Sequence, residues 1–164
     1  MAAATFKIEG LKELQDSLDK LGEVPQRHVT AASKKAMKIP LVQAKDDAPY
    51  LTGALSDGII QKPEKTKDKG KKIYRIVFDR AMNDIFQKPV KNPGESGSPN
   101  ASARSSAYYP VSQEYGFYTR DGTYIKGLAF VRNALESNAQ AVGKTIVDTM
   151  KIKIDDEIAK RGLK

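Results

Sequence analysis

The chain contains no cysteine, no tryptophan and a single histidine. Without cysteine it can have no disulfide, thiolate-bound zinc, iron–sulfur cluster or thiol nucleophile. A cysteine-free chain also fits a cytosolic place of synthesis. With no tryptophan and only 7% aromatics, the core has to lean on Leu, Ile, Val and Ala. No apolar run approaches the length of a bilayer span, so no membrane is expected among the partners. Met1 to Ile8 lack an apolar h-region and a small-residue cleavage site, so no signal peptide is expected. The lone histidine, His28, has no second imidazole or thiol to share a metal with, and its default reading is a surface or interface residue.

What is present is an ordinary soluble balance. The 164 residues are 40% hydrophobic and 29% charged. That length suits one domain with a core of its own. The formal charge is +8. A surplus of that size favours phosphate backbones or acidic protein surfaces, but lysines spread along a solvated surface produce the same number.

Periodicity outlines the elements. Thr5 to Ile8 alternates as a short strand. Leu11, Leu14, Leu18 and Leu21 form one helix face that stops at Gly22. After Pro25, the stripe Val29, Ala32, Ala36 and Ile39 marks a second helix, with a kink or restart at Pro40 and continuation to about Asp47. Ala48 to Gly53 reads as a turn. Leu55 to Gln61 and Lys72 to Phe78 read as strands of a long β-hairpin. Its basic connection carries Lys62, Lys65, Lys67, Lys69, Lys71 and Lys72. Pro89 to Ala107 is rich in turn formers and reads as a long, flexible inserted loop. Tyr108 to Tyr118 is aromatic and turn-rich. Gly122 and Gly127 bracket a short segment at the end of the sheet. From Ala129 one long helix is expected, with Val131, Leu135, Ala139, Val142, Ile146, Met150, Ile154 and Ile158 on one face. The expected fold is α+β: a small, mainly antiparallel sheet packed by two or three helices, the last one longest.

Chemistry is harder to find. Asp46 and Asp47 are neighbours on a helix, so their carboxylates diverge; the same holds for Asp155, Asp156 and Glu157. Gly94 and Gly97 do not belong to a phosphate loop, which needs a Gly-x-x-x-x-Gly-Lys-Ser/Thr run between strand and helix. Ser96, Ser98 and Ser102 have no base nearby. No catalytic residue, metal or cofactor is expected, and the chain reads as a non-enzyme. The basic hairpin tip has no interleaved aromatics for base stacking. It is either a solvated turn or a contact for duplex phosphates without base readout.

Three segments in order carry a resemblance. They are Ala48-Pro49-Tyr50-Leu51-Thr52-Gly53-Ala54-Leu55, Tyr109-Pro110-Val111-Ser112-Gln113-Glu114-Tyr115-Gly116-Phe117, and Ala129-Phe130-Val131-Arg132-Asn133-Ala134-Leu135. Together with the opening Ile8-Glu9-Gly10-Leu11-Lys12-Glu13-Leu14, this resembles the tail-completion, or head–tail joining, family of long-tailed bacteriophages, the one related to lambda minor tail protein Z. Two features depart from the family pattern. Ala129 stands where the family often has proline, and Asp84 to Ser106 is longer than the usual link.

The resemblance implies a structural virion protein at the neck, made in the host cytoplasm. It implies a homo-oligomeric ring, with six subunits expected, that completes the tail and joins it to the DNA-filled head. The implied neighbours are tail terminator or tail tube proteins on one side and head-closure or connector proteins on the other, with duplex DNA in the lumen. Pro49, Thr52, Gly53, Leu55, Tyr109, Glu114, Tyr115, Phe117, Phe130 and Arg132 are the expected interface residues. A tail terminator, a head-closure ring and a non-virion basic nucleic-acid-binding protein are the alternatives.

Overall fold

Prolines and glycines decide where this chain changes direction. In the computed structural model, which describes residues 26–68, 70–89 and 106–161, helix α1 spans Gln26–Ala36 and α2 spans Lys38–Asp46. The break falls at Met37, one turn ahead of the proline expected to cause it. Pro40 has no amide proton and its ring crowds the carbonyl four residues back. That carbonyl belongs to Ala36, where α1 ends. Pro40 itself is buried in the first turn of α2, a position that tolerates the missing donor.

After α2 the chain turns through Pro49 to Gly53. Gly53 takes φ +81°, a left-handed conformation that glycine adopts without a Cβ clash. A helical turn, α3 (Ala54–Asp57), follows and corrects the expectation of a strand from Leu55. It drops Leu55 into the core, and the Ser56 hydroxyl ties it back to the Lys45 carbonyl at 3.0 Å. Strands β1 (Ile59–Pro63) and β2 (Tyr74–Phe78) then pair antiparallel in the register Ile59 with Phe78. This is the expected hairpin. The face bearing Ile59, Ile76 and Phe78 packs inward; the other bears Ile60, Lys62, Arg75 and Val77.

A 3-10 turn (Arg80–Met82) and α4 (Asn83–Phe86) lead into β3 (Gln87–Pro89). β3 pairs antiparallel with β4 (Ser106–Tyr108), in the register Gln87 with Tyr108. The loop expected over Pro89 to Ala107 thus gives up its ends to strands. Its interior lies outside the described residues, as do the expected N-terminal strand and the expected first leucine helix. Helix α5 (Tyr109–Tyr115) replaces the turn-rich stretch expected there, with Pro110 in its first turn. Strands β5 (Gly116–Tyr118) and β6 (Tyr124–Lys126) form a third hairpin. The sheet is therefore divided: the described strands form three separate antiparallel pairs.

The expected last helix is two helices. α6 (Phe130–Ser137) ends at Asn138, and α7 (Ala139–Arg161) begins after it. The Asn138 side-chain amide donates to the Ala134 carbonyl at 2.8 Å, while the Asn138 backbone carbonyl accepts the Val142 amide at 2.9 Å. One asparagine thus closes one helix and opens the next. The two helices also pack differently. α6 lies on α2, and α7 lies along α1.

Two apolar clusters result. Ala44, Ala48, Leu55, Ile59, Phe86, Phe130 and Ala134 make the main core. Phe78 meets Phe86 and Phe130 edge-on at 6.2 and 6.3 Å, and Phe86 meets Tyr108 at 5.9 Å. Such pairs add about 1 kcal/mol each beyond area burial. Ala32, Met150 and Ile154 form the second cluster, flanked by Val29, Ile146 and Ile158. There the expected stripes on both helices meet. On α6 the buried residues are Phe130 and Ala134, and Leu135 is exposed. No described helix is long and apolar enough to cross a membrane.

Candidate interaction surface

The second and third sequence segments are joined by one carboxylate. Glu114, at the end of α5, is 5% exposed. Its Oε2 accepts the Val131 amide at 3.0 Å and its Oε1 accepts the Arg132 amide at 3.1 Å. These are orphan donors of the first turn of α6, which every helix must satisfy from outside. An anion there also complements the positive helix end. The Glu114 carbonyl accepts the Ala129 amide at 3.0 Å, and the Gln113 carbonyl accepts the Leu128 amide at 2.8 Å. Glu114 is therefore a remote cap that docks α6 on α5. Sequence alone places it at an interface; its carboxylate is used inside the fold.

Ala129, just ahead of α6, has φ +53°. This is the one described non-glycine residue with a positive φ, and it sits where the resembling family often carries proline. Proline is locked near −65° and has no amide to donate. Both features are incompatible with the geometry found here.

Between the two segments projects the β5–β6 hairpin. Gly116 (φ +89°) and Gly127 sit at its base, where a methyl on either would strike backbone of the other arm. The Tyr124 hydroxyl donates to the Tyr115 carbonyl. At the tip, the hydroxyls of Thr119 and Thr123 donate to the Asp121 carboxylate. Those bonds hold Asp121 below the ordinary carboxylate range. The hairpin is exposed on both faces. Phe117, Tyr118, Tyr124 and Ile125 are each 41–50% exposed, and Tyr115 and Leu128 more so. The Arg132 guanidinium lies 5.8 Å from the Tyr115 ring centre.

The first segment divides in the same way between inside and outside. Ala48 and Leu55 anchor its ends in the core. Leu55 is expected at an interface, and packing takes it up instead; Phe130 is likewise a core residue. Between the anchors, Tyr50 and Leu51 are 84% and 83% exposed. Neither is among the interface residues expected from sequence. An apolar pair between proline and Thr-Gly, with no periodic partner, is the signal that could have found them. Thr52 accepts the Ala54 amide at 3.4 Å, so Thr52 and Gly53 shape this turn. Pro49 and Tyr109 are half-buried, while Tyr115, Phe117 and Arg132 are exposed.

At the other hairpin, Lys62, Lys65, Lys67 and Lys71 are exposed, and Lys69 lies outside the described residues. Lys72 turns back, donating to the Glu64 carbonyl at 3.0 Å. Lys71 sits 3.9 Å from Asp68, and Arg75 pairs with Glu64 at 2.8 Å. A hollow of about 370 Å³ on the open face of β1 and β2 is lined by Ile60, Lys62, Glu64, Arg75, Val77 and Asp79, among others. Its charges are mixed in sign, and Lys62 faces Arg75 across the strands. His28 is buried on α1 with Nε2 3.6 Å from the Glu157 carboxylate of α7. Among the described residues, no three of His, Asp and Glu come together as candidate metal ligands.

Compared with protein-family models, curated proteins and solved structures, the chain finds no match.

Proposed function

We propose that this chain is a structural subunit of a tailed-phage neck, forming a homo-oligomeric ring that completes the tail and joins it to the filled head. One observation carries the reading. Among the described residues, the three most exposed large apolar side chains, Tyr50, Leu51 and Tyr115, all fall inside the segments on which the resemblance rests. Exposed apolar patches on a folded chain mark binding surfaces, and aromatic residues concentrate at the centres of such surfaces. The activity is binding, with tail tube or terminator proteins below and head-closure or connector proteins above. Electron microscopy of a lysate from the phage encoding this chain, with its gene interrupted, tests the proposal. Filled heads beside separate full-length tails are expected; normal infectious particles contradict it.

The exposed lysines Lys62, Lys65 and Lys67 favour a second, compatible role, in which this hairpin tip lies against duplex phosphates without reading bases. Each phosphate that a lysine neutralises steepens the slope of log K against log salt by about 0.9. Replacing Lys65 and Lys67 with serine would therefore flatten the salt dependence of duplex binding by nearly two units. An unchanged slope excludes the tip as the contact.

A further inference from the structure

Two exposed apolar surfaces of this chain carry opposite charge. The Tyr50–Leu51 turn is flanked by three exposed carboxylates, Asp46, Asp47 and Asp57, against one lysine, Lys45. In a chain of net charge +8, this is a local reversal of sign. The β5–β6 hairpin has the converse pattern. Its Phe117, Tyr118, Tyr124 and Ile125 are flanked by three exposed cations, Arg120, Lys126 and Arg132, against one exposed carboxylate within the hairpin, Asp121. That carboxylate is engaged by Thr119 and Thr123 within its own turn.

Shape sets the roles. The turn offers two adjoining side chains that stand almost wholly in solvent. The hairpin offers a wide two-stranded surface, with Phe117 opposite Ile125 on one face and Tyr118 opposite Tyr124, rings 5.1 Å apart, on the other. A two-stranded hairpin is marginal in water by itself, and strands with unpaired edges are ordinarily covered or charged.

We infer that the occupant of the aromatic hairpin is the Tyr50–Leu51 turn of a second copy of this chain, an inference that rests on the ring reading for its setting. Charge complementarity selects this pairing. Turn against turn sets acid on acid, and hairpin against hairpin sets base on base. Turn against hairpin brings opposite signs together around an apolar centre, which steers encounter and penalises wrong registers. Two different patches then meet, so the contact is head-to-tail and propagates into a ring or a filament.

The absence of native cysteine makes the test direct. Leu51→Cys and Ile125→Cys are made in separate full-length chains, both at exposed positions, and treated with a short bis-maleimide alone and mixed. The mixture is expected to give a covalent dimer at least tenfold faster than either variant alone. Adding Asp46→Lys and Asp47→Lys to the Leu51→Cys chain is expected to abolish that advantage. Adding Lys126→Glu and Arg132→Glu to the Ile125→Cys chain is then expected to restore it. Thermal unfolding of each variant checks that the fold is kept. Equal rates alone and mixed, or rates indifferent to charge reversal, overturn the pairing. A chain found at the neck of particles but lacking the 51–125 cross-link loses this interface and keeps the ring reading. A cross-linking chain that is absent from particles keeps the interface and loses the neck.

Discussion

The Glu114 carboxylate and the Arg132 amide are joined by a 3.1 Å hydrogen bond across 18 positions of sequence. With the parallel bond to Val131, it makes the start of α6 depend on the end of α5. Hydrogen bonds to a charged acceptor are worth roughly 1.5–3 kcal/mol, and a buried donor left alone costs about 1–3. Glu114→Ala should therefore lower unfolding free energy by about 3 kcal/mol in urea titrations. Glu114→Gln keeps one acceptor and should cost about half as much. A loss under about 1 kcal/mol for the alanine variant, less than one such bond is worth, would refute the cap.

Ala129 supplies a test with the opposite sign. A left-handed conformation costs an L-residue about 1 kcal/mol, and glycine escapes that cost at some expense in chain entropy. Ala129→Gly should be neutral or stabilising by up to about 1 kcal/mol. Ala129→Pro should destabilise by about 3 kcal/mol or more, because it removes the bond to the Glu114 carbonyl and cannot adopt φ +53°. Paired thermal melts decide this, and a tolerated proline would contradict the geometry.

Gly58 faces the buried ring of Phe86, with the Met82 sulfur 3.0 Å from where a methyl would stand. Gly58→Ala should cost about 1–3 kcal/mol by overpacking. Phe86→Ala should cost about 3–5 kcal/mol by emptying the same site. Combined in one chain, the added methyl partly fills the space the ring vacated, and the double variant should be less destabilised than the sum. Strict additivity would mean that the two groups do not meet.

Asp121 gives the pH dependence of the hairpin tip. Its carboxylate is held below the ordinary range by Thr119 and then Thr123. A lowered folded value means that its contribution is present above the unfolded pKa, about 3.9, and is lost as pH falls through the lower folded one. Proton NMR of the full chain should show the Thr119 and Thr123 signals constant from neutral pH down to the ordinary carboxylate range, moving only below it. Movement centred on the ordinary carboxylate value would remove the turn bonds.

The sequence is informative wherever one face of an element is buried against another. The stripes Val29–Ala32 and Ile146–Met150–Ile154 are visible because α1 and α7 pack along their lengths. The β1–β2 hairpin is visible for the same reason. The interruption at Asn138 is hidden because the apolar row runs on through it, while the structure marks the break by the side-chain bond to Ala134 and by the different packing of the two helices. Helix α5 is hidden behind Tyr109-Pro110, which reads as a turn unless the proline is placed in a first helical turn. Of the expected interface residues, Leu55, Phe130 and Glu114 are used inside the fold. Spacing alone does not separate a motif residue that shapes the domain from one that meets a neighbour. Tyr50 and Leu51 escape notice for the converse reason: their signal is the absence of a periodic partner, which a search for buried stripes passes over.

The proposed role as a building block of a phage neck is tested most directly by gold-labelled antibody on purified particles. Antibody raised against the whole chain should label each particle once, at the junction of head and tail, after mild disruption that parts the two. Label confined to the unassembled soluble fraction, with none on heads, tails or their junction, would contradict the account.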